Sequence, residues 1–439
     1  MKVPRRIALS LINSLKGGVV PRVGLPYITV GRKKEIAALL SDIDIISEGG
    51  ATFRFIVGKY GSGKSFLLRA VANYAMDKGF VIADADLSPE RRLYGTRNQG
   101  LATYKELIKN LSTRTKPDGG ALSLILDKWI NMTEESVVAS SHLSLDSPLL
   151  PSLVEKKIIE NISSLKGMVH GFEFSKLLAL YYSAYISGDD DKKSSLIKWF
   201  RGEYTSKAEA RAELGVGIII SDDDWYEYIK LLAAFLKGAG YKGLIVMIDE
   251  LVNIYKIPNL TARNYNYEKI LTIYNDTLQG KAEYIGFIMC GTPQCIEDPR
   301  RGVFSYEALR SRLDFGKFSN ESFTDMYSPI IRLSPLSSEE MLVLADRLSD
   351  IHAELYGYTR KITDDDLCDF ISIEYSRIGA NANITPREVI RDFIELFSIA
   401  EQNPTLSVKI YFHKKASPVP RQMTTVTTMT THLSLHSKR

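Results

Sequence analysis

Cysteine is scarce in this chain: three residues in 439, at Cys290, Cys295 and Cys368. An odd count without metal-ligand spacing argues against a disulfide framework and for a reducing compartment, with the thiols buried as small apolar side chains. Long hydrophobic runs are missing as well. No stretch approaches the roughly 18 apolar residues that cross a bilayer, so no membrane partner is expected and a cytoplasmic location is. An excess of one charge is also lacking, since 56 Lys and Arg face 52 Asp and Glu for a formal net charge of +4. So small a balance does not by itself announce nucleic acid or a membrane. Residues 1–34 hold Arg and Lys but no Asp or Glu. That composition suits an organellar leader, yet Ile7, Ala8, Leu11, Ile12 and Leu15 share one helical face and Gly17, Gly18 and Pro21 then break it, which favours a packed helix.

What is present is an ordinary globular composition, 45% apolar and 25% charged, on a chain long enough for two or three domains. No internal repeat is found. Residues 51–57 form an apolar stretch that runs into a glycine-rich loop and then into a helical pattern over 66–76. Further strands are expected at 80–83, 243–248, 284–290 and 329–333. Strands alternating with helices imply a parallel sheet covered on both faces. Between the second and third strands, about 104–237 reads as helices and polar loops, a helical insertion that supplies no phosphate-contacting motif and is expected to be a docking surface, removable without loss of the nucleotide site but needed for the biological output, against the alternative of plain scaffolding. Within it, residues 225–236 form a helix for which Ser221 and Asp222, Asp223 and Asp224 offer capping oxygens. After residue 333 three helices, at 337–353, 364–375 and 385–400, make a separate subdomain, and a Thr-rich tail follows from about 404. The expected division is a lead-in at 1–30, a core at 31–333 carrying the insertion, a helical lid at 334–403 and a tail at 404–439.

The chemistry concentrates in two segments. Gly58-Lys59-Tyr60-Gly61-Ser62-Gly63-Lys64-Ser65 fits G-x-x-x-x-G-K-[ST], in which backbone N–H groups and a helix N-terminus close around phosphates. Lys64 is expected to reach the β and γ phosphates of ATP and Ser65 to hold Mg2+. Leu244-Ile245-Val246-Met247-Ile248-Asp249-Glu250 is an apolar strand ending in two carboxylates, one to orient the metal and one, Glu250, to polarise water as general base. Standing alone, such a pair could equally cap the next helix. Thr292 follows the fourth strand, where it could bond the γ-phosphate or the water, or cap a helix begun by Pro293. Arg310 and Arg312 follow, with Arg300 and Arg301 upstream, as candidates for a finger reaching a neighbouring subunit, against the bland alternative of solvated side chains. Arg387 opens a helix of the last subdomain and could reach the same γ-phosphate or simply pair with a nearby acid.

Taken in order, these pieces resemble AAA+ ATPases of the origin-recognition and clamp-loader type: Val30-Gly31-Arg32 ahead of the P-loop, a Walker B strand, sensor 1 at Thr292, a Ser-Arg finger at Arg312 and sensor 2 at Arg387. More narrowly, the chain resembles the BrxD-type ATP-binding proteins of bacterial BREX phage-defence systems. That likeness rests on Pro89-Glu90-Arg91-Arg92-Leu93-Tyr94-Gly95, on Asp249-Glu250-Leu251-Val252-Asn253-Ile254-Tyr255, on Asn266-Tyr267-Glu268 with Leu278-Gln279-Gly280, and on Arg301-Gly302 before Tyr306-Glu307-Ala308-Leu309-Arg310-Ser311-Arg312-Leu313. The resemblance implies an α/β AAA+ P-loop fold with a C-terminal helical lid, an ATP hydrolase with Gly31 and Arg32 beside the nucleotide, and a homo-oligomer. It also implies helicase, methyltransferase and phosphatase-like defence partners, with DNA nearby. About 50 residues follow Arg387, too few for the lid remainder plus a winged-helix module, so duplex binding by such a module is not expected.

Overall fold

The computed structural model describes residues 2–142, 144, 147–313, 325–360, 362–376 and 385–403. Helix α1 (Arg5–Lys16) ends where the Gly17 N–H bonds back to Asn13, and α2 (Leu25–Ile28) and α3 (Lys33–Ser47) lead to strand β1 (Ala51–Val57). Helix α4 (Lys64–Asp77) and strand β2 (Val81–Asp86) follow. Seven α-helices then separate β2 from the next strand among the described residues: α5 (Gln99–Lys109), α6 (Leu122–Ser141), α7 (Leu150–Ser163), α8 (Gly171–Ser187), α9 (Asp190–Phe200), α10 (Lys207–Leu214) and α11 (Trp225–Gly238). Strand β3 (Leu244–Asp249), α12 (Val252–Tyr255), α13 (Leu260–Leu278), β4 (Ile285–Gly291), α14 (Pro293–Glu297), α15 (Glu307–Leu313) and β5 (Ile330–Arg332) complete the α/β body. Helices α16 (Ser338–Tyr356), α17 (Asp364–Ser376) and α18 (Pro386–Gln402) close the described chain.

The five strands are parallel, in the order β2-β3-β4-β1-β5. Their near-continuous apolar runs follow from burial on both faces. Alternate residues serve alternate faces: Ile56, Ile245, Met247 and Ile288 pack with Ile43, Leu67 and Val71 of α3 and α4. Phe55, Val246, Ile248 and Phe287 face the core that contains α5, α11 and α13. Strand β2 runs three residues beyond the expected 80–83 because Asp84 and Asp86 still pair with Met247 and Asp249 of β3.

The helices between β2 and β3 do not form an appendage. Trp129, Trp199 and Trp225, from three of these helices, are buried in the same continuous core as Phe55, Val246 and Phe287 of the sheet. Removing this segment would bare the β2 and β3 part of one face of the sheet, so the expectation of a removable surface fails on packing grounds. The acids before α11 also act differently from a simple cap. Asp224 Oδ1 accepts from the N–H and hydroxyl of Ser221, while buried Asp222 turns to the distant N-terminus of α5. There its oxygens accept the N–H groups of Gly100 at 2.6 Å, Gly95 at 2.8 Å and Leu101 at 3.0 Å. Helix α5 has no cap of its own, since Asn98 lies in the left-handed region without a side-chain bond, and Asp222 replaces it.

Helices α16, α17 and α18 share a second core with α1, built on Leu11, Ile12, Leu348, Phe393 and Phe397. Ser337 and Glu340 form a reciprocal capping box at the start of α16. Cys290 and Cys295 are buried, but Cys368 on α17 is exposed, contrary to the expected burial of all three thiols. The tail from residue 404 lies outside the described residues.

Replacing Asp222 by Ala leaves three N–H groups without an acceptor. The loss of unfolding free energy in urea is expected to be about 3 kcal/mol, against about 0.5 kcal/mol or less for exposed Asp223→Ala; equal values for the two variants would contradict the capping role.

Candidate functional site

The site is assembled by strand ends. Val57 pairs with Gly291, Ile248 with Met289 and Asp86 with Asp249, so β1, β2, β3 and β4 stop at one level and release their loops on one side. The Gly58 N–H bonds to Gly291 O at 3.1 Å and the Leu251 N–H to Cys290 O at 3.1 Å, locking the glycine-rich loop and the acidic strand end to the same neighbour. Gly61 has φ +76°, and a Cβ there would stand 2.7 Å from Thr385 Oγ1, so the loop and the start of α18 approach as only glycine allows. Gly31, at φ +67°, packs as closely on Glu340 and Leu336 of the helical subdomain. Arg32 follows in the left-handed region and donates to Ser62 O at 3.0 Å and to Glu35 at 3.3 Å, which ties the lead-in to the glycine-rich loop.

Lys64 is buried at the first turn of α4, its Nζ donating to the carbonyls of Gly58 at 2.7 Å and Lys59 at 2.9 Å and lying 5.5 Å from the centre of the half-exposed Tyr60 ring. Burial lowers its pKa, opposed by the charge of Asp249. Ser62 Oγ is sealed in the loop without a partner. Such a loop, with a cation spending its protons on its own carbonyls and an orphaned hydroxyl, fits a polyphosphate that takes over those donors. Ser65 Oγ donates to Asp249 Oδ2 at 3.2 Å, so the hydroxyl and carboxylate that would share a divalent cation already face each other.

Glu250 is held at φ +61°, uncommon for a residue with a side chain. Asp249 Oδ1 accepts its N–H at 2.7 Å and Asn253 bonds to its carbonyl, fixing that conformation. Burial raises the Glu250 pKa, and the charges of Asp249 and Asp86 raise it further. Asp86 is the residue that sequence reading missed. It sits across the ladder from Asp249, its own pKa raised by burial and by that neighbour. The alternation Asp84-Ala85-Asp86 at a strand end was the available signal.

Thr292 lies at the end of β4, lines the cleft, and accepts the Cys295 N–H at 3.4 Å as the N-cap of α14, so the capping role is real and leaves the side chain at the cleft wall. Arg387 also lines the cleft, its stem against Gly18. It makes no ion pair with any described residue, and Glu388 bonds to Thr385 instead. Arg312 is not brought to this cleft. It is exposed on α15, its Nη1 bonded to Ala308 O at 2.7 Å, and Arg310 beside it is exposed too. Asp314, the acid that could have paired with Arg312, lies outside the described residues. Opposite the phosphate-type loop, the cleft is apolar, walled by Val19 and Val20 from the lead-in and by Leu344 and Ile390 from the helical subdomain. These four residues carried no signal in the sequence because the wall joins segments more than 300 residues apart.

A parallel α/β sheet with a glycine-rich phosphate-type loop, a facing carboxylate pair and an apolar slot for a base defines a nucleotide-binding protein. Residues 3–416 match the family model for the BREX system ATP-binding protein BrxC/D, and the chain belongs to that family. Among curated proteins nothing matches. No helix of the described residues is long and apolar enough to cross a membrane.

Lys64→Ala is expected to weaken magnesium-ATP binding by about 100-fold in calorimetry, the scale of two charge-assisted hydrogen bonds. Unchanged affinity would show that the loop does not hold the phosphates.

Proposed function

We propose that the protein is an AAA+ ATPase of the BrxD kind that binds and hydrolyses magnesium-ATP and uses the cycle to assemble or remodel a phage-defence complex on DNA. The observation that carries this reading is the meeting of Ser65, Asp249 and Glu250 beside Lys64, with Glu250 locked in a strained conformation. The strand order and the helical subdomain against the loop support the AAA+ assignment, and the phrases from Pro89 to Gly95 and around Arg312 support the BrxD kind. In this reading residues 31–333 are the core, 334–403 the lid and the helices of about 104–237 an insertion peculiar to the group.

The backbone of Gly58 to Ser65 and the Lys64 ammonium hold the phosphates, and Val19, Val20, Leu344 and Ile390 enclose the base. Ser65 and Asp249 would hold a magnesium ion, which would supply positive charge against the phosphates. Glu250 orients a water and takes its proton as the oxygen bonds to the γ-phosphorus and ADP departs. Thr292 fixes that water or the γ-phosphate, and Arg387 reaches the same group from the lid. Arg312, turned away from its own cleft, supplies a neighbour's site, so the working form is a homo-oligomer. Helicase, methyltransferase and phosphatase-like components of the same system are the proposed partners, in the cytoplasm.

A second reading, a slow nucleotide-gated switch that docks a partner protein, is favoured by exposed apolar side chains on the helices between β2 and β3, including Leu124, Ile159, Phe172 and Ile186. Turnover measured with and without DNA separates the two, since a motor is stimulated and a switch is not.

Glu250→Gln is expected to keep ATP affinity and lose about 10²–10⁴ in turnover, and Arg312→Ala to lose about 10³–10⁵. Mixing the two variants is expected to restore part of the activity, because one interface then joins an intact Glu250 to an intact Arg312. No recovery on mixing, with near wild-type turnover by Arg312→Ala, would rule out the shared site. Because a base must be deprotonated and burial raises the Glu250 pKa, turnover is expected to fall with acidification at a pH above the ordinary carboxylate range; a profile still flat at pH values where free carboxylates protonate would exclude Glu250 as the base.

A further inference from the structure

The strained backbone of Glu250 is held by bonds that reach it from different strands. Its N–H donates to Asp249 Oδ1 at 2.7 Å, and the N–H of the next residue, Leu251, donates to Cys290 O of β4 at 3.1 Å. Those two bonds tie it to β3 and β4. Asn253 adds a tie to β2. Its backbone N–H donates to Glu250 O at 2.9 Å, and its side-chain Nδ2 donates to the same oxygen at 3.3 Å and to Leu87 O at 2.8 Å.

A side-chain amide has two N–H donors. Both are spent here on carbonyls, one just past the end of β3 and one just past the end of β2. Helix α12 does not need them, since the N–H groups of Ile254 and Tyr255 bond to Leu251 O through the backbone alone. The strain of a left-handed residue is comparable to the net worth of one or two hydrogen bonds. Loss of the side-chain bonds of Asn253 therefore lets Glu250 relax toward ordinary backbone angles, and its carboxylate moves with it. A displacement of about 1 Å in a group that positions a reaction can cost about 10²-fold in rate.

The far end of the bridge is the start of a connection. Leu87 is buried, and its N–H donates to Asp249 O at 3.1 Å, which extends the ladder between β2 and β3 by one residue before the chain leaves the sheet. Ser88 and Arg91 then close a turn on each other that exposes Pro89 and Glu90, and Gln99 Nε2 holds that turn through Pro89 O at 2.9 Å. The chain is caught again by Asn266 at Leu93 and Tyr94 and by Asp222 at Gly95, and it exposes Thr96, Arg97 and Asn98 before α5 begins. The connection 87–98 is anchored at intervals and exposed between them, and one side chain separates its root from Glu250.

We propose that Asn253 is a positioning residue for Glu250: by joining the Glu250 carbonyl to the Leu87 carbonyl it aims the carboxylate at the water and makes that aim depend on the connection 87–98, so that displacing the connection changes turnover and leaves ATP affinity as it was. This role rests on the reading of Glu250 as the general base and adds to it the point at which control of that base enters.

The test is steady-state turnover of magnesium-ATP by the full chain, with affinity and the binding-competent fraction from calorimetry. Asn253→Ala keeps the backbone bond and loses both side-chain bonds; it is expected to lower kcat by about 10- to 100-fold, with ATP affinity as in the wild-type chain. Asn253→Gln, which keeps two donors on a longer stem, is expected to recover part of that loss. Because Asn253 acts through Glu250, Asn253→Ala is expected to add no further loss to Glu250→Gln, whereas a merely structural asparagine would lower both backgrounds by the same factor. Gln99→Ala frees Pro89 without a change of charge; it is expected to lower kcat about threefold in the wild-type chain and not at all beside Asn253→Ala. With Glu250→Gln slow, wild-type kcat in Asn253→Ala, an equal loss in the Glu250→Gln background, or a Gln99→Ala loss that persists beside Asn253→Ala would each overturn the inference and leave the general base in place. A Glu250→Gln variant as fast as the wild-type chain would overturn the base assignment and this role with it.

Discussion

Everything in the site depends on the register of one parallel ladder. With Val57 opposite Gly291 and Asp86 opposite Asp249, the strands end level and their loops are forced into a single space. A shift of one residue in β3 would send Asp249 to the other face of the sheet and separate it from Ser65. The register is held from both sides, by Phe55, Val246 and Phe287 in one core and by Ile56, Ile245 and Ile288 in the other. Even the strain at Glu250, of about 1–3 kcal/mol, is sustained by this arrangement, because Asp249 and Asn253 hold its backbone from a strand end that cannot move.

The cleft is closed by a body that the chain makes from its two ends. Helix α1 packs with α16, α17 and α18, and the lead-in that joins it to α3 passes over the glycine-rich loop on its way. Arg347 bonds to Thr29 O at 2.8 Å and Arg32 to Ser62 O at 3.0 Å, so the lead-in is tied to both bodies. A ligand that fills the apolar wall would therefore touch residues near the beginning of the chain and residues near its end together.

The sequence was most legible where local pattern and chemistry coincide. The β1 strand lies where residues 51–57 predict it, and the other strands differ by a few residues at their ends. It was least legible where the decisive partner is far away in the chain. Asp222 looks like a cap for the helix three residues on, yet serves α5 more than 120 residues earlier. Asp86 looks like the polar end of a strand until the ladder sets it beside Asp249. The helices between β2 and β3 look separable because their own amphipathic faces are complete in sequence, and only packing reveals one core shared with the sheet. Arg312 carries the opposite lesson, since an exposed position away from its own cleft is what both a finger and a merely solvated side chain would show.

The central claim is that one nucleotide is gripped at once by the glycine-rich loop and by the body made from the two chain ends. Amide hydrogen exchange on the full chain, with and without magnesium and a slowly hydrolysed ATP analogue, measures this directly. The account predicts protection gained together, at the same ligand concentration, in residues 58–65, 18–21 and 386–390. Protection confined to residues 58–65, with the other two segments exchanging as in the free protein, would contradict it.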